Sequence, residues 1–113
     1  MHRDIKSDNI MINRFGTVKL GDFGMATQLT SENPTRNAVL GTPCWMAPEV
    51  IQKQDYGLSV DIWSLGILAI ELCDGKPPLI GQAPMKVLWR VATSPAPTQC
   101  RKVSHLLEDF IET

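Results

Sequence analysis

At 113 residues the chain has material for at most one small domain with a modest core. Hydrophobic residues make up 43% of it, and 11 basic and 12 acidic side chains are mixed along its length to a net charge of −1. That balance excludes wholesale disorder and leaves no charge block to attract nucleic acid or an anionic membrane surface.

Taken in chain order, Ile10 to Ile12 and Thr17 to Leu20 read as two short strands joined by Asn13-Arg14-Phe15-Gly16, a β-hairpin with a glycine in its turn. Two strands alone are marginal in water, so the hairpin must lean on something else. From Gly21 to Pro48 the chain is rich in Gly, Thr, Ser, Asn and Pro without a sustained period. A loop of this length inside a compact domain is uncommon and usually functional. Pro48 to Gln52 suits one helical turn with proline at its start. Ser59 is a fitting N-cap for a helix to about Cys73, with Gly75 as its stop. Its apolar residues cover nearly every face, which predicts a place in the middle of the core. After Pro77-Pro78 a further helix is expected over Pro84 to Ala92, broken by Ser94-Pro95-Ala96-Pro97, and a last one over about Val103 to Ile111.

The three cysteines, Cys44, Cys73 and Cys100, are odd in number and widely spaced, with no CxxC pair or Cys/His cluster. Free thiols in a reducing compartment are the simplest reading, and neither His2 nor His105 has partner ligands at a metal-binding spacing. The first residues carry no basic-then-apolar secretory pattern. The longest apolar run, Ile62 to Cys73, is interrupted by Ser64, Gly66 and Glu71 and falls short of the roughly 20 residues a membrane span needs. A soluble, cytoplasmic protein without a membrane span is expected.

Three short motifs carry the chemistry. Directly before the hairpin stands His2-Arg3-Asp4-Ile5-Lys6-Ser7-Asp8-Asn9, directly after it Asp22-Phe23-Gly24, and the long loop ends in Ala47-Pro48-Glu49. Each is short enough to arise by chance, and loop aspartates commonly serve turns or caps. In this order, with a hairpin between the first two, they resemble the catalytic loop, metal-binding aspartate and activation-segment end of protein kinases. The resemblance runs from His2 to about Ile111. Lys6 places it in the serine/threonine class. Gly41-Thr42-Pro43-Cys44-Trp45-Met46-Ala47-Pro48-Glu49-Val50 is similar to the sterile-twenty-like group, and Asp61-Ile62-Trp63-Ser64-Leu65-Gly66-Ile67 with Asp74-Gly75-Lys76-Pro77-Pro78-Leu79 is similar to its p21-activated branch.

The resemblance implies an α+β fold, mainly the helical C-terminal lobe of a kinase with a short hairpin at the cleft. It implies phosphoryl transfer from ATP, with Mg²⁺, to Ser or Thr of a protein substrate. Asp4 would accept the hydroxyl proton and Lys6 would meet the transferring phosphate as a point charge. Asn9 and Asp22 are hard oxygen ligands suited to Mg²⁺. Thr42 would fix the catalytic loop near Asp4 and Lys6, and the stretch from Leu40 to Trp45 would shape the pocket for the residue after the phosphoacceptor. Asp61 would hydrogen-bond the catalytic-loop backbone, and His2 and Phe23 would pack beneath the site.

The chain departs from the pattern in two ways. Position 38, three residues before Gly41, is alanine where p21-activated kinases carry a phosphothreonine, so Arg3 lacks its expected anionic partner. A loop held active without phosphate is one outcome. The 113 residues also hold no Gly-rich loop, strand lysine or helix glutamate ahead of the catalytic loop, and no arginine placed to pair with Glu49. The expectation is therefore a partial kinase domain over 1–113, with N-terminal lobe and C-terminal end absent and Phe23 and the hairpin's apolar face exposed. Its alternative is a truncated or degenerate lobe without activity. A small-GTPase-binding segment, as in p21-activated kinases, would lie outside these residues.

Overall fold

A computed structural model describes residues 1–98 and 101–112. Its elements are β1 (Ile10–Ile12), β2 (Val18–Leu20), α1 (Pro48–Ile51), α2 (Ser59–Asp74), α3 (Pro84–Thr93) and α4 (His105–Glu112), with single 3₁₀ turns at Ser7–Asn9 and Pro43–Trp45. This is the mainly helical α+β arrangement that the sequence predicts.

The strands pair antiparallel, Ile10 with Leu20, Met11 with Lys19 and Ile12 with Val18. Asn13 builds the turn: its Oδ1 accepts the N–H groups of Phe15 and Thr17, both at 2.9 Å, and Gly16 takes a φ of 83° that costs a glycine little. Asn13 also donates its own N–H to Thr17 O. Thr17 therefore belongs to the turn, and the second strand begins at Val18.

Helix α2 starts without its expected cap. Leu58 occupies the N-cap position, no side chain caps the helix, and Ser59 is its first residue; backbone bonds from Val60 to Gly57 and from Asp61 to Leu58 close the first turn instead. At the other end Gly75, at φ 82°, donates to Glu71 O, the left-handed stop glycine favours. Helix α4 begins two residues later than expected because Ser104 caps it, accepting Leu107 N–H on Oγ and Glu108 N–H on its carbonyl.

The core has two parts. Met46, Ala47, Val50, Tyr56 and Val60 form one, and Trp45, Ile67 and Ile70 the other. Helix α2 feeds both, but it is not enclosed. Ile62 and Leu72 are 65% and 76% exposed, and the groove between α2 and α4 encloses about 710 Å³ lined in part by Ile62, Leu65, Leu106 and Phe110. No residue of α4 is buried, so that helix leaves one apolar side of α2 open. Phe23 and the hairpin residues Met11, Ile12, Phe15 and Val18 are exposed. Among the described residues, no helix is long and apolar enough to cross a membrane.

Candidate active site

The segment around Asp4 is held from below by one carboxylate. Asp61, in the first turn of α2, accepts the backbone N–H of His2 on one oxygen at 2.7 Å and that of Arg3 on the other at 2.9 Å. Charge-assisted bonds of this kind are about twice as strong as neutral ones. They hold Arg3 at a φ of 69°, a region costly for a side chain of its size. His2 completes the support. Its Nδ1 accepts the Asp4 N–H at 3.1 Å and its Nε2 lies 2.7 Å from Gly21 O, which together specify the tautomer with hydrogen on Nε2. The ring is buried and meets Phe23 edge-on at 4.9 Å, while Phe23 itself is 61% exposed, as expected of it in a partial kinase domain.

Above that support, four side chains converge. Thr42 Oγ1 donates to Asp4 Oδ1 at 2.6 Å and accepts from Lys6 Nζ at 3.0 Å. Lys6 Nζ stands 3.9 Å from Asp4 Oδ2. Asn9 Nδ2 donates to the Asp4 carbonyl at 2.8 Å and reaches Asp4 Oδ2 at 3.4 Å. One oxygen of Asp4 is thus firmly engaged and the other only loosely. Leu40 lines the small cleft beside Asp4 together with Ile5, Gly41, Thr42 and Trp45.

The hairpin brings Asn9 and Asp22 to the same end, its closing bond running from Gly21 N–H to Asn9 O at 2.8 Å. Asn9 spends its amide hydrogens on Asp4, which leaves its side-chain oxygen without a protein donor among the described residues. Asp22, at φ 50° and exposed, uses Oδ1 to accept Gly24 N–H at 3.2 Å. No group of three or more acidic, histidine or cysteine side chains able to hold a metal occurs among the described residues. An amide oxygen and one carboxylate fit Mg²⁺ nonetheless, because Mg²⁺ keeps several waters and takes one or two carboxylates alongside substrate phosphates.

Glu49 stands apart, lining the groove under α2 and α4, with no ion-pair partner among the described residues. Arg3 has no anionic partner among the described residues: Nε donates to Met25 O at 2.6 Å and Nη1 to the Tyr56 hydroxyl at 3.3 Å.

Sequence reasoning missed two contributors. Glu71 accepts Ser7 Oγ–H at 2.5 Å and Trp45 Nε1–H at 3.1 Å, so one carboxylate of α2 ties the segment after Asp4 to the turn after Thr42. A lone charge in the apolar run from Ile62 to Cys73 is the signal that could have found it, since a half-buried carboxylate requires donors. Burial, and then the Glu71 carboxylate, push the neighbouring Cys44 thiol up from its ordinary value. Cys44 and Cys73 are free thiols, and Cys100 lies outside the described residues. The second contributor is Tyr56, the only tyrosine of the chain.

Known proteins similar to this chain place its family. A serine/threonine-protein kinase PAK 1 from Mus musculus is 47% identical over 114 residues, covering 99% of this chain and 21% of that protein. Serine/threonine-protein kinases ste20 from Aspergillus fumigatus and Aspergillus oryzae are 46% and 50% identical over 113 and 98 residues, covering 98% and 87% of this chain but 14% and 12% of theirs. The chain thus spans about a fifth or less of the length of these relatives. The family model described as protein kinase domain matches residues 1–113, the same stretch in which Asp61, Thr42 and the hairpin gather around Asp4, and the chain belongs to that family.

Proposed function

We propose that these residues form the proton-accepting and metal-holding side of a protein serine/threonine kinase site, which transfers the γ-phosphoryl group of ATP to a Ser or Thr hydroxyl of a protein. The observation that carries this reading is the unequal engagement of the Asp4 carboxylate. Thr42 holds Oδ1 at 2.6 Å, while Oδ2 has only Asn9 at 3.4 Å and Lys6 at 3.9 Å. A fixed carboxylate with one open oxygen suits the receipt of a hydroxyl proton. Lys6 is oriented by Thr42 and keeps further donors for a phosphoryl oxygen. Bound at the Asn9 and Asp22 oxygens, Mg²⁺ would neutralise phosphate charge as transfer proceeds. The cleft from Leu40 to Trp45 beside Asp4 would seat the substrate residue next to the acceptor.

The relatives' names, serine/threonine-protein kinase, support the acceptor class. A small-GTPase regulator acting on other parts of the protein, and a cytoplasmic site of action, belong to the same reading. Replacement of Asp4 in the full-length product tests it. Asp4→Asn keeps the shape and removes the base, and phosphorylation of a generic protein substrate should fall at least about 100-fold. Phosphorylation at the wild-type rate by the variant would overturn the reading.

A further inference from the structure

Tyr56 joins three parts of the chain that are distant in sequence. It is 2% exposed and sits in the core with Met46, Ala47, Val50 and Val60. Its backbone pairs with Arg36 as an isolated antiparallel bridge, N–H to O at 2.8 Å and O to N–H at 2.9 Å. Its hydroxyl donates to Ala38 O at 2.7 Å and accepts from Arg3 Nη1 at 3.3 Å. Arg3 in turn reaches Met25 O at 2.6 Å, and its own backbone leads directly into Asp4. Arg36 folds its local loop by donating to the carbonyls of Gln28, Asn33 and Thr35. Every bond that Tyr56 makes to residues 36–38 ends on a backbone atom; none needs a Ser or Thr hydroxyl, and Ala38 has none to offer.

We propose that Tyr56 is a positioning residue, whose hydroxyl and backbone clasp residues 36–42 against the Arg3–Asp4 segment with no phosphorylated side chain. The proposal rests on the kinase reading for its effect on rate, but its structural core stands on the bonds alone. A buried tyrosine hydroxyl that both donates and accepts fixes two partners at once. Without that oxygen, the Ala38 carbonyl and one Arg3 N–H lose a partner in a partly buried place. The segment that follows carries Leu40 and Thr42, so its loosening reaches the Asp4–Thr42–Lys6 contacts. Asn9 and Asp22 take no part in the clasp.

Tyr56→Phe in the full-length product, followed by hydrogen exchange and steady-state kinetics, tests the proposal. The paired amides of Arg36 and Tyr56 should exchange about ten-fold faster, the scale of one lost buried hydrogen bond, while amides of α2 from Ser64 to Ile70 keep their protection. The turnover number should fall about ten-fold with KM for Mg-ATP unchanged. Unaltered exchange at Arg36 and Tyr56 would overturn the clasp. Wild-type protein stripped by a phosphatase supplies the second arm. Unchanged exchange and turnover support the proposal, and loss of either assigns the holding to a phosphate and sinks it; this arm decides if Tyr56→Phe also loosens α2. Because exchange is read without turnover, an inactive wild-type protein would count against the kinase reading and leave the clasp to be judged on its own.

Discussion

Glu71 is one carboxylate serving two donors of different kinds, the Ser7 hydroxyl and the Trp45 indole N–H. The 2.5 Å contact with Ser7 lies at the short end for a hydroxyl on a carboxylate, where charge assistance is strongest. Glu71→Leu would leave both donors unmatched and should cost about 2 kcal/mol of stability, since each orphaned, partly buried group costs about 1–3 kcal/mol. Glu71→Gln can still face its oxygen to the indole and its amide to the Ser7 oxygen, so it should cost less. Urea unfolding of the two variants checks that order. The charge has a second reader in Cys44. Burial, first, and Glu71, second, raise the thiol above its ordinary value, so the fold favours the neutral thiol. The resulting contribution to stability is complete below the unfolded value and is lost as pH rises past it toward the folded one. In Glu71→Gln only burial remains, and the pH profile of Cys44 alkylation should move to lower pH.

At the level of elements, the hairpin and the long helix were legible because their signals are local. Asn13 and Gly16 mark a turn by their own backbone preferences, and Gly75 marks a helix end. The start of α2 was not legible, because Ser59 offers a capping hydroxyl while backbone bonds to Gly57 and Leu58 make the turn without it. The motif positions of Asp4, Asn9, Asp22 and Thr42 could be read in order along the chain, but the bonds among them could not, since Thr42 and Asp4 are 38 residues apart. The Tyr56 contacts with Ala38 and Arg3 span 18 and 53 residues, and no local pattern announces them. The segment before the 3₁₀ turn also depends on a glycine for a reason of space. Gly41 has a φ of 134°, and a Cβ there would meet Met46 Cγ at 2.9 Å and Arg3 O at 3.3 Å. Gly41→Ala should therefore destabilise by about 2 kcal/mol, from backbone strain and displaced neighbours together. It should also push Thr42 off Asp4, and a larger fall in turnover than in stability-limited yield is the kinetic sign of that displacement.

Over the whole molecule, the radius of gyration of 14.5 Å exceeds the about 13 Å typical of a domain this long. The excess goes with the uncovered surfaces: the hairpin's Met11, Ile12 and Val18, Phe23 beside it, and the open side of α2. The site is uneven in the same sense. The groups proposed to take a proton and hold metal are gathered around Asp4, yet phosphoryl transfer is mostly positioning and electrostatics, and ATP phosphates need a cradle of donors as well. Arg3 is spent on Met25 and Tyr56, which leaves Lys6 as the cation at Asp4, and the 113 residues hold no Gly-rich phosphate loop. These residues by themselves should therefore transfer no phosphate above the level of their Asp4→Asn variant. Incubation of the 113-residue chain with radiolabelled Mg-ATP and a generic protein substrate measures this directly. Clear, Asp4-dependent labelling would show that Lys6, Asn9 and Asp22 suffice to orient the nucleotide, and the division of labour argued for the site would then be wrong. A blank result, with activity in the full-length product, would place the remaining phosphate contacts outside these residues and leave to this chain the proton and the metal.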